Sequence, residues 1–155
     1  MRTGNIMANI MNAAILSGLT LGAMQAHETD AAQIKCLADN IYFEALTESE
    51  AGWVAVANVT MNRVNNPAFP DSVCDVVWEP KQFSWTHDGK SDKPGSEESY
   101  KKVYAVAKEV YYGRITDITE GATFYHADYV NPSWNRVMER VAKIDRHIFY
   151  KHEGR

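Results

Sequence analysis

Ile34-Lys35-Cys36-Leu37-Ala38-Asp39-Asn40-Ile41-Tyr42-Phe43-Glu44-Ala45 is the stretch that decides the fold. Its apolar residues Ile34, Leu37, Ala38, Ile41 and Ala45 recur at steps of three and four. That spacing predicts a helix over 31–45, with Thr29 or Asp30 as its N-cap. The helix ends on a carboxylate, Glu44, directly behind two aromatic residues. Apolar neighbours disfavour the charged form of an acid, and the partial negative charge at a helix C-terminus pushes the same way. A Glu so placed keeps its proton near neutral pH. A protonated carboxyl is the group that cleavage of a glycosidic bond requires. The competing reading is an ordinary solvated surface acid.

Outward from this helix the chain stays helical. Residues 48–64 form a second helix, with Trp53, Val56, Ala57, Met61 and Val64 as its buried stripe. Asn65-Asn66-Pro67 stops it. Asp71 or Ser72 caps a short helix carrying Val73, Val76 and Val77, closed by Pro80. Residues 86–96 hold Gly89, Pro94 and Gly95 and read as a loop at the rim of a cleft. A long helix covers 97–112, lined by Tyr100, Val103, Tyr104, Ala107, Val110 and Tyr111, with Gly113 at its C′ position. The tyrosines share one stripe and read as core. Beyond Thr119-Glu120-Gly121 the pattern turns to β. Ala122-Thr123-Phe124-Tyr125 predicts a strand, and 137–144 with 147–150 a hairpin around Asp145-Arg146. The expected class is α+β, mostly helical, with a small antiparallel sheet near the C-terminus.

The composition supports one folded domain. The chain has 155 residues, 45% hydrophobic and 23% charged, which excludes disorder, collagen and a multi-span membrane protein as overall descriptions. Net charge is −4 with no basic run, so nucleic acid has no electrostatic footprint here. Four Trp and eight Tyr exceed what a core of this size needs, and point to a binding surface. Cys36 and Cys74 are a candidate disulfide or two buried thiols.

Residues 1–26 read as an address. Arg2 is the one charge, residues 6–24 are mostly apolar, and the charged chain begins at His27-Glu28. This is the outline of a signal peptide or a weak signal anchor, and it sends the protein to the periplasm or cell envelope. Asn9, Asn12, Ser17, Gly18 and Gly22 make residues 6–24 a poor permanent span, suited to transient membrane association. The alternative is a buried N-terminal helix. Losing residues 1–26 removes Arg2 alone among charged residues, taking the net charge from −4 to −5. Export also favours a Cys36–Cys74 bridge.

Several strings together resemble the cell-wall hydrolase family of the spore-cortex-lytic enzyme SleB. They are Cys36-Leu37-Ala38, Ile41-Tyr42-Phe43-Glu44-Ala45, Val54-Ala55-Val56-Ala57 with Asn62-Arg63-Val64, and Phe69-Pro70-Asp71-Ser72-Val73-Cys74. Gln82-Phe83-Ser84-Trp85, residues 122–134 and His147-Ile148-Phe149-Tyr150 complete the set, in the family's order. The resemblance spans about residues 34–151, so that 31–151 reads as the catalytic domain. It implies a lysozyme-like domain acting on peptidoglycan, with Glu44 at the position of the catalytic glutamate. Family members cut between N-acetylmuramic acid and N-acetylglucosamine, typically as lytic transglycosylases. Two departures stand out. Leu46-Thr47-Glu48 replaces the usual Arg-Gly-Glu, and Asp145 stands where Gly is common. No cortex-targeting repeat accompanies the domain, and an ordinary cell wall is the simpler substrate.

Transglycosylation needs one ionisable residue and no cofactor; hydrolysis needs a second acid, for which Asp39, Glu48 and Asp128 are candidates. Tyr42 and Phe43 flank Glu44. Phe83 and Trp85 can stack on sugar rings or plug the core, Trp85 being the more exposed choice, and Gln82 and Ser84 can bond sugar hydroxyls. Tyr125 can orient Glu44, His126 can bond hydroxyls, and Trp134 joins this group. His87, His126 and His147 lack the spacing of a zinc motif. Three functions compete: a metal-free monomeric glycan-cleaving enzyme acting on peptidoglycan strands, a zinc N-acetylmuramoyl-L-alanine amidase, and a non-catalytic wall-binding protein. A phage endolysin and a bacterial wall-remodelling enzyme fit the first equally.

Overall fold

The computed structural model describes the backbone of residues 13–152 and the side chains of residues 29–152. The leader reading of residues 1–26, and membrane association through 6–24, rest on side chains outside the described residues. The chain divides into two units, 1–32 and 33–155; the fold below is that of the second. No helix among the described residues is long and apolar enough to cross a membrane.

Among the described residues, four α-helices precede a three-stranded sheet. Helix α1 is Ala13–Ala45, so it begins far ahead of the expected start. Thr29 and Asp30 lie inside it, so neither is its N-cap; within a helix each costs only some tenths of a kcal/mol, roughly, and no proline interrupts the run. Helix α2 is Glu50–Val64, and its N-cap Ser49 accepts a bond from the Gly52 amide. Helix α3 is Val73–Trp78, capped by Ser72, which accepts from the Asp75 amide at 3.1 Å. Helix α4 is Glu97–Tyr111, capped by Ser96 and ended by Gly113 at φ +67°, a left-handed conformation that glycine adopts without strain.

The core is built around α2. From Val54 to Thr60 every residue of α2 is buried, so this helix is enclosed on all sides. The expected stripe is correct at Val56 and Ala57, whereas Trp53, Met61 and Val64 are only half-buried. Leu37, Ile41, Val56, Val73, Val77, Val103 and Ala107 form the main cluster. Truncating a fully buried leucine such as Leu37 typically costs about 2–5 kcal/mol. Cys36 and Cys74 are bonded, tying α1 to α3.

Strands β1 Phe124–Ala127, β2 Glu139–Ile144 and β3 His147–Lys151 form an antiparallel sheet in the order β1-β3-β2. The first strand begins two residues later than expected, because Ala122 closes a turn onto the Thr119 carbonyl. The second begins at Glu139, since Ser133–Val137 is a 3-10 turn. A smaller cluster of Ala55, Val59, Ala122 and Phe149 seats the sheet on α2. Successive strand residues face opposite sides. Tyr125, His147 and Phe149 therefore share the side toward α2, while Phe124, His126 and Tyr150 share the other.

Two of the unusual sequence positions meet at the hairpin tip. Asp145 takes φ +49° in the tight turn, a conformation Asp tolerates better than most residues. Its carboxylate accepts from the Ser49 amide at 2.9 Å and the Ser49 hydroxyl at 2.6 Å. Arg146 donates to Glu48 through Nε at 2.7 Å and to the Thr47 hydroxyl through Nη2 at 2.8 Å. The loop after Glu44 is thus clasped by the turn. Gly52 permits this approach, because a Cβ there would lie 2.6 Å from an Asp145 oxygen.

The disulfide closes a separation of 38 residues. Chain-entropy arguments give such a loop about 3–4 kcal/mol. Urea unfolding with and without reductant is expected to differ by that amount. Equal midpoints with the bond verifiably reduced would show that it contributes nothing.

Candidate active site

Glu44 belongs to the buried face of α1. It stands three, four and seven residues after Ile41, Asn40 and Leu37, all fully buried, and such positions share one side of a helix. At the helix end this face meets a cavity of about 270 Å³ instead of more core. Glu44, Arg63, Lys81, Gln82, Phe83, Ser84, His87 and Tyr125 line it. Glu44 is half-buried.

Three elements converge there. From β1, the Tyr125 hydroxyl donates to Glu44 Oε2 at 3.0 Å. From α2, Arg63 is only 5% exposed and is held by two bonds. Its Nε donates to the Thr123 carbonyl at 2.8 Å and its Nη1 to Gln82 Oε1 at 3.2 Å. Its guanidinium sits 5.3 Å from the Phe69 and Phe83 ring centres and 5.5 Å from that of Phe124. From the turn after α3 come Lys81, Gln82, Phe83 and Ser84. Lys81 has φ +68°, and the Gln82 amide closes the turn onto the Glu79 carbonyl at 3.2 Å.

Burial is the largest influence on Glu44 and raises its pKa above the ordinary glutamate value; the Tyr125 hydrogen bond and then the Arg63 charge pull it partly back. Burial also drives Tyr125 upward, reinforced by the Glu44 charge, so its hydroxyl stays a donor. The site balances a low-polarity surrounding, which favours the acid, against two groups that favour the carboxylate.

Other residues singled out in the sequence lie elsewhere. Trp85 is 6% exposed; its indole N–H donates to Asn40 Oδ1 at 3.0 Å, and Asn40 in turn donates to Thr60 at 3.3 Å. A buried indole needs a partner, and that partner lies inside the core, so Trp85 is core and not an exposed stacking platform. Phe83 is also buried, yet one side of it lines the cavity. Phe43 stacks on Trp85 at 4.8 Å. The Tyr42 hydroxyl accepts from the Ser96 amide at 3.1 Å. Both aromatics wall the core behind Glu44 and lie off the cavity.

His126 neighbours Tyr125 in sequence and therefore faces the other side of the sheet. It is stacked on Tyr150 at 5.2 Å, with Nε2 3.0 Å from the Tyr150 hydroxyl. Trp134 packs against Phe124, His126 and Tyr150. His126 and Trp134 thus form a cluster apart from the Glu44 cavity. Asp39 accepts from Tyr100 and Lys35, Glu48 from Arg146, and Asp128 pairs with Lys143; none lines the cavity. Among the described residues no group of three or more His, Cys, Asp or Glu is placed to hold a metal. Sequence reasoning gave no role to Arg63, Lys81 or His87. Arg63 had two available signals: its place in the Asn62-Arg63-Val64 string, and its standing as a cation within the otherwise uncharged and largely apolar run from Trp53 to Val64.

Comparison with known proteins gives a consistent set of matches. A family model described as Cell Wall Hydrolase matches residues 47–150, a segment that begins just after Glu44. The spore cortex-lytic enzyme of Halalkalibacterium halodurans is 34% identical over 117 residues, which are 75% of this chain and 34% of that protein. That of Bacillus subtilis is 34% identical over 119 residues, 75% of this chain and 36% of that protein. The chain therefore spans about a third of the length of the curated relatives it matches. Among solved structures, the catalytic domain of the Bacillus cereus SleB protein aligns with TM-score 0.62 at 32% identity, covering 77% of this chain and 89% of that one. The catalytic domain of the germination-specific lytic transglycosylase SleB from Bacillus anthracis aligns with TM-score 0.64 at 32% identity, covering 77% and 93%.

The raised pKa of Glu44 has a consequence for stability. Between the ordinary glutamate value and the raised one, the folded protein keeps a proton that the unfolded chain releases. Stability therefore falls as pH rises through that interval and stays lower above it. Glu44→Gln removes this dependence while leaving an acceptor for Tyr125. The variant is expected to melt above the wild type at pH 8, with the advantage gone at pH 4. A variant that melts at or below the wild type at pH 8 would contradict the assigned environment.

Proposed function

The chain belongs to the cell wall hydrolase family, and from that membership we propose that it cleaves the bond between N-acetylmuramic acid and N-acetylglucosamine in peptidoglycan, as a lytic transglycosylase. The observation that carries this reading is one half-buried carboxyl, Glu44, lining a cavity and bonded to Tyr125. The likeness to the SleB catalytic domains supports it. Residues 31–151 are the catalytic domain, working as a monomer outside the cytoplasm, where its substrate lies. Residues 1–26 carry it there, touching the membrane transiently through 6–24.

Glu44 performs both proton transfers. Its carboxyl gives a proton to the glycosidic oxygen as the bond to C1 of the muramic acid breaks, leaving an oxocarbenium-like sugar. The Glu44 carboxylate then takes the proton of that sugar's own 6-hydroxyl. The hydroxyl oxygen closes on C1, and a 1,6-anhydro ring results. Glu44 finishes protonated, ready for the next bond. Burial supports the acid before the first transfer. Tyr125 and Arg63 support the carboxylate after it, where negative charge develops. Among the described residues no second carboxylate lines the cavity, which favours the intramolecular hydroxyl over an activated water.

The products decide between the competing readings. Peptidoglycan digested with the protein is expected to yield anhydro-muropeptides, by mass, with no loss on adding chelator. Free stem peptides would instead identify an amidase, and intact glycan a binding protein. Glu44→Gln is expected to abolish cleavage while unfolding stays cooperative; retained activity would remove Glu44 from the mechanism.

Tyr125→Phe takes away a group that favours the Glu44 carboxylate. Cleavage is expected to slow on the order of tenfold to a hundredfold. Because Glu44 must enter protonated, activity falls as pH rises through its pKa, and this limb is expected to move to higher pH in the variant. A limb that stays in place, or moves to lower pH, would show that Tyr125 does not act on Glu44.

A further inference from the structure

The cavity that Glu44 lines carries more positive charge than a neutral sugar requires. Among the described residues that line it, Arg63 and Lys81 are the cations, with His87 beside them, and Glu44 is the acid; Arg63 also feels the charge of Glu79, which does not line the cavity. The remaining lining residues, Gln82, Phe83, Ser84 and Tyr125, are neutral. This happens in a chain of net charge −4. Hydroxyl and acetamido groups are satisfied by neutral donors and acceptors. Two fixed cations at one cavity are the arrangement that recognises an anion.

The geometry leaves both cations available. A guanidinium has five N–H donors in a fixed plane. Arg63 commits one to the Thr123 carbonyl and one to Gln82. Among the described residues its Nη2 makes no hydrogen bond, and it is not among the buried unpartnered atoms. Lys81 is exposed and makes no ion pair among the described residues. Its backbone holds φ +68°, a left-handed conformation uncommon for a residue with a Cβ.

We propose that the wall formed by Arg63 and Lys81 binds a free carboxylate of the peptide stem on the muramic acid being cleaved, making the protein selective for glycan strands that carry acidic stems. This rests on the glycan-cleaving reading above. It adds a specificity group, Lys81, that takes no part in proton transfer. The stem is attached to the same sugar whose C1–oxygen bond breaks, so a carboxylate anchored at the wall helps to align that bond with Glu44.

Binding separates this proposal from the catalytic one. The full chain carrying Glu44→Gln is titrated by calorimetry with three ligands. They are a peptidoglycan fragment with intact stems, the same fragment with its stem carboxylates converted to amides, and chitotetraose, which has neither stem nor lactyl group. The intact fragment is expected to bind roughly tenfold more tightly than the amidated one, the scale of one charge-assisted contact. Raising salt from about 50 mM to 500 mM should shrink that ratio, because exposed charges are screened. Adding Lys81→Gln should reduce the ratio to about threefold or less. Lys81 is the chosen variant because it is exposed, whereas Arg63 also holds Thr123 and Gln82.

Equal affinity for intact and amidated fragments would overturn the proposal. So would a Lys81→Gln loss that is the same for both, which would mark a loss of shape and not of charge. Chitotetraose binding as tightly as the intact fragment would overturn it as well. If the wild type fails to cleave glycan, the catalytic reading falls while this comparison still stands. If it cleaves intact and amidated strands equally well, only the carboxylate site falls.

Discussion

One contact between the end of α1 and the first strand holds the site together. The Tyr125 hydroxyl reaches Glu44 across 81 positions of sequence. It can do so because Glu44 lies on the buried face of its helix and Tyr125 on the face of the sheet that packs toward α2. Remove either alignment and the carboxyl turns to solvent, where it is an ordinary acid. The rest of the fold maintains both. α2 is enclosed and fixes the distance between helix and sheet. Arg63, near its end, holds the backbone just before β1 through the Thr123 carbonyl.

The loop after Glu44 is where this chain departs from the pattern of the family it resembles, and the hairpin turn binds that loop. Where Arg-Gly-Glu is usual, Leu46-Thr47-Glu48 leaves Glu48 without a neighbouring cation. Arg146 supplies one from the hairpin turn and also engages the Thr47 hydroxyl. Asp145, in the position where glycine is common, receives both donors of Ser49. Surface ion pairs are worth little singly. Here several bonds converge on one loop, and their effect is to fix its path two residues from the catalytic candidate.

Much of the fold was legible because hydrophobic spacing reports it directly. The helices after residue 48, the Ser72 cap offered beside Asp71 and the hairpin at Asp145-Arg146 follow from period, capping and turn chemistry. The start of α1 was not legible, since Thr29 and Asp30 suit a cap and a helix interior almost equally well. At the site, Glu44 was singled out from its aromatic neighbours, its place at a helix end and the family resemblance. Trp85 was misjudged because its partner, Asn40, is 45 residues away, and a polar residue on a core face gives no hint of whom it binds. His126 was grouped with Tyr125 by adjacency, although adjacency in a strand means opposite faces. Lys81 and Arg63 emerged only when three separate elements met around one cavity.

The central claim is that Glu44 holds its proton beyond the range of an ordinary glutamate, and it can be measured at the atom concerned. Following the side-chain carboxyl carbon of Glu44 by NMR across a pH titration, with Glu44→Gln to identify the signal, gives its pKa directly. The account predicts a midpoint clearly above the ordinary glutamate value, near 4.5. A midpoint at or below that value would mean that Tyr125 and Arg63 outweigh burial, and that the carboxyl is not poised to give up a proton to a sugar bond.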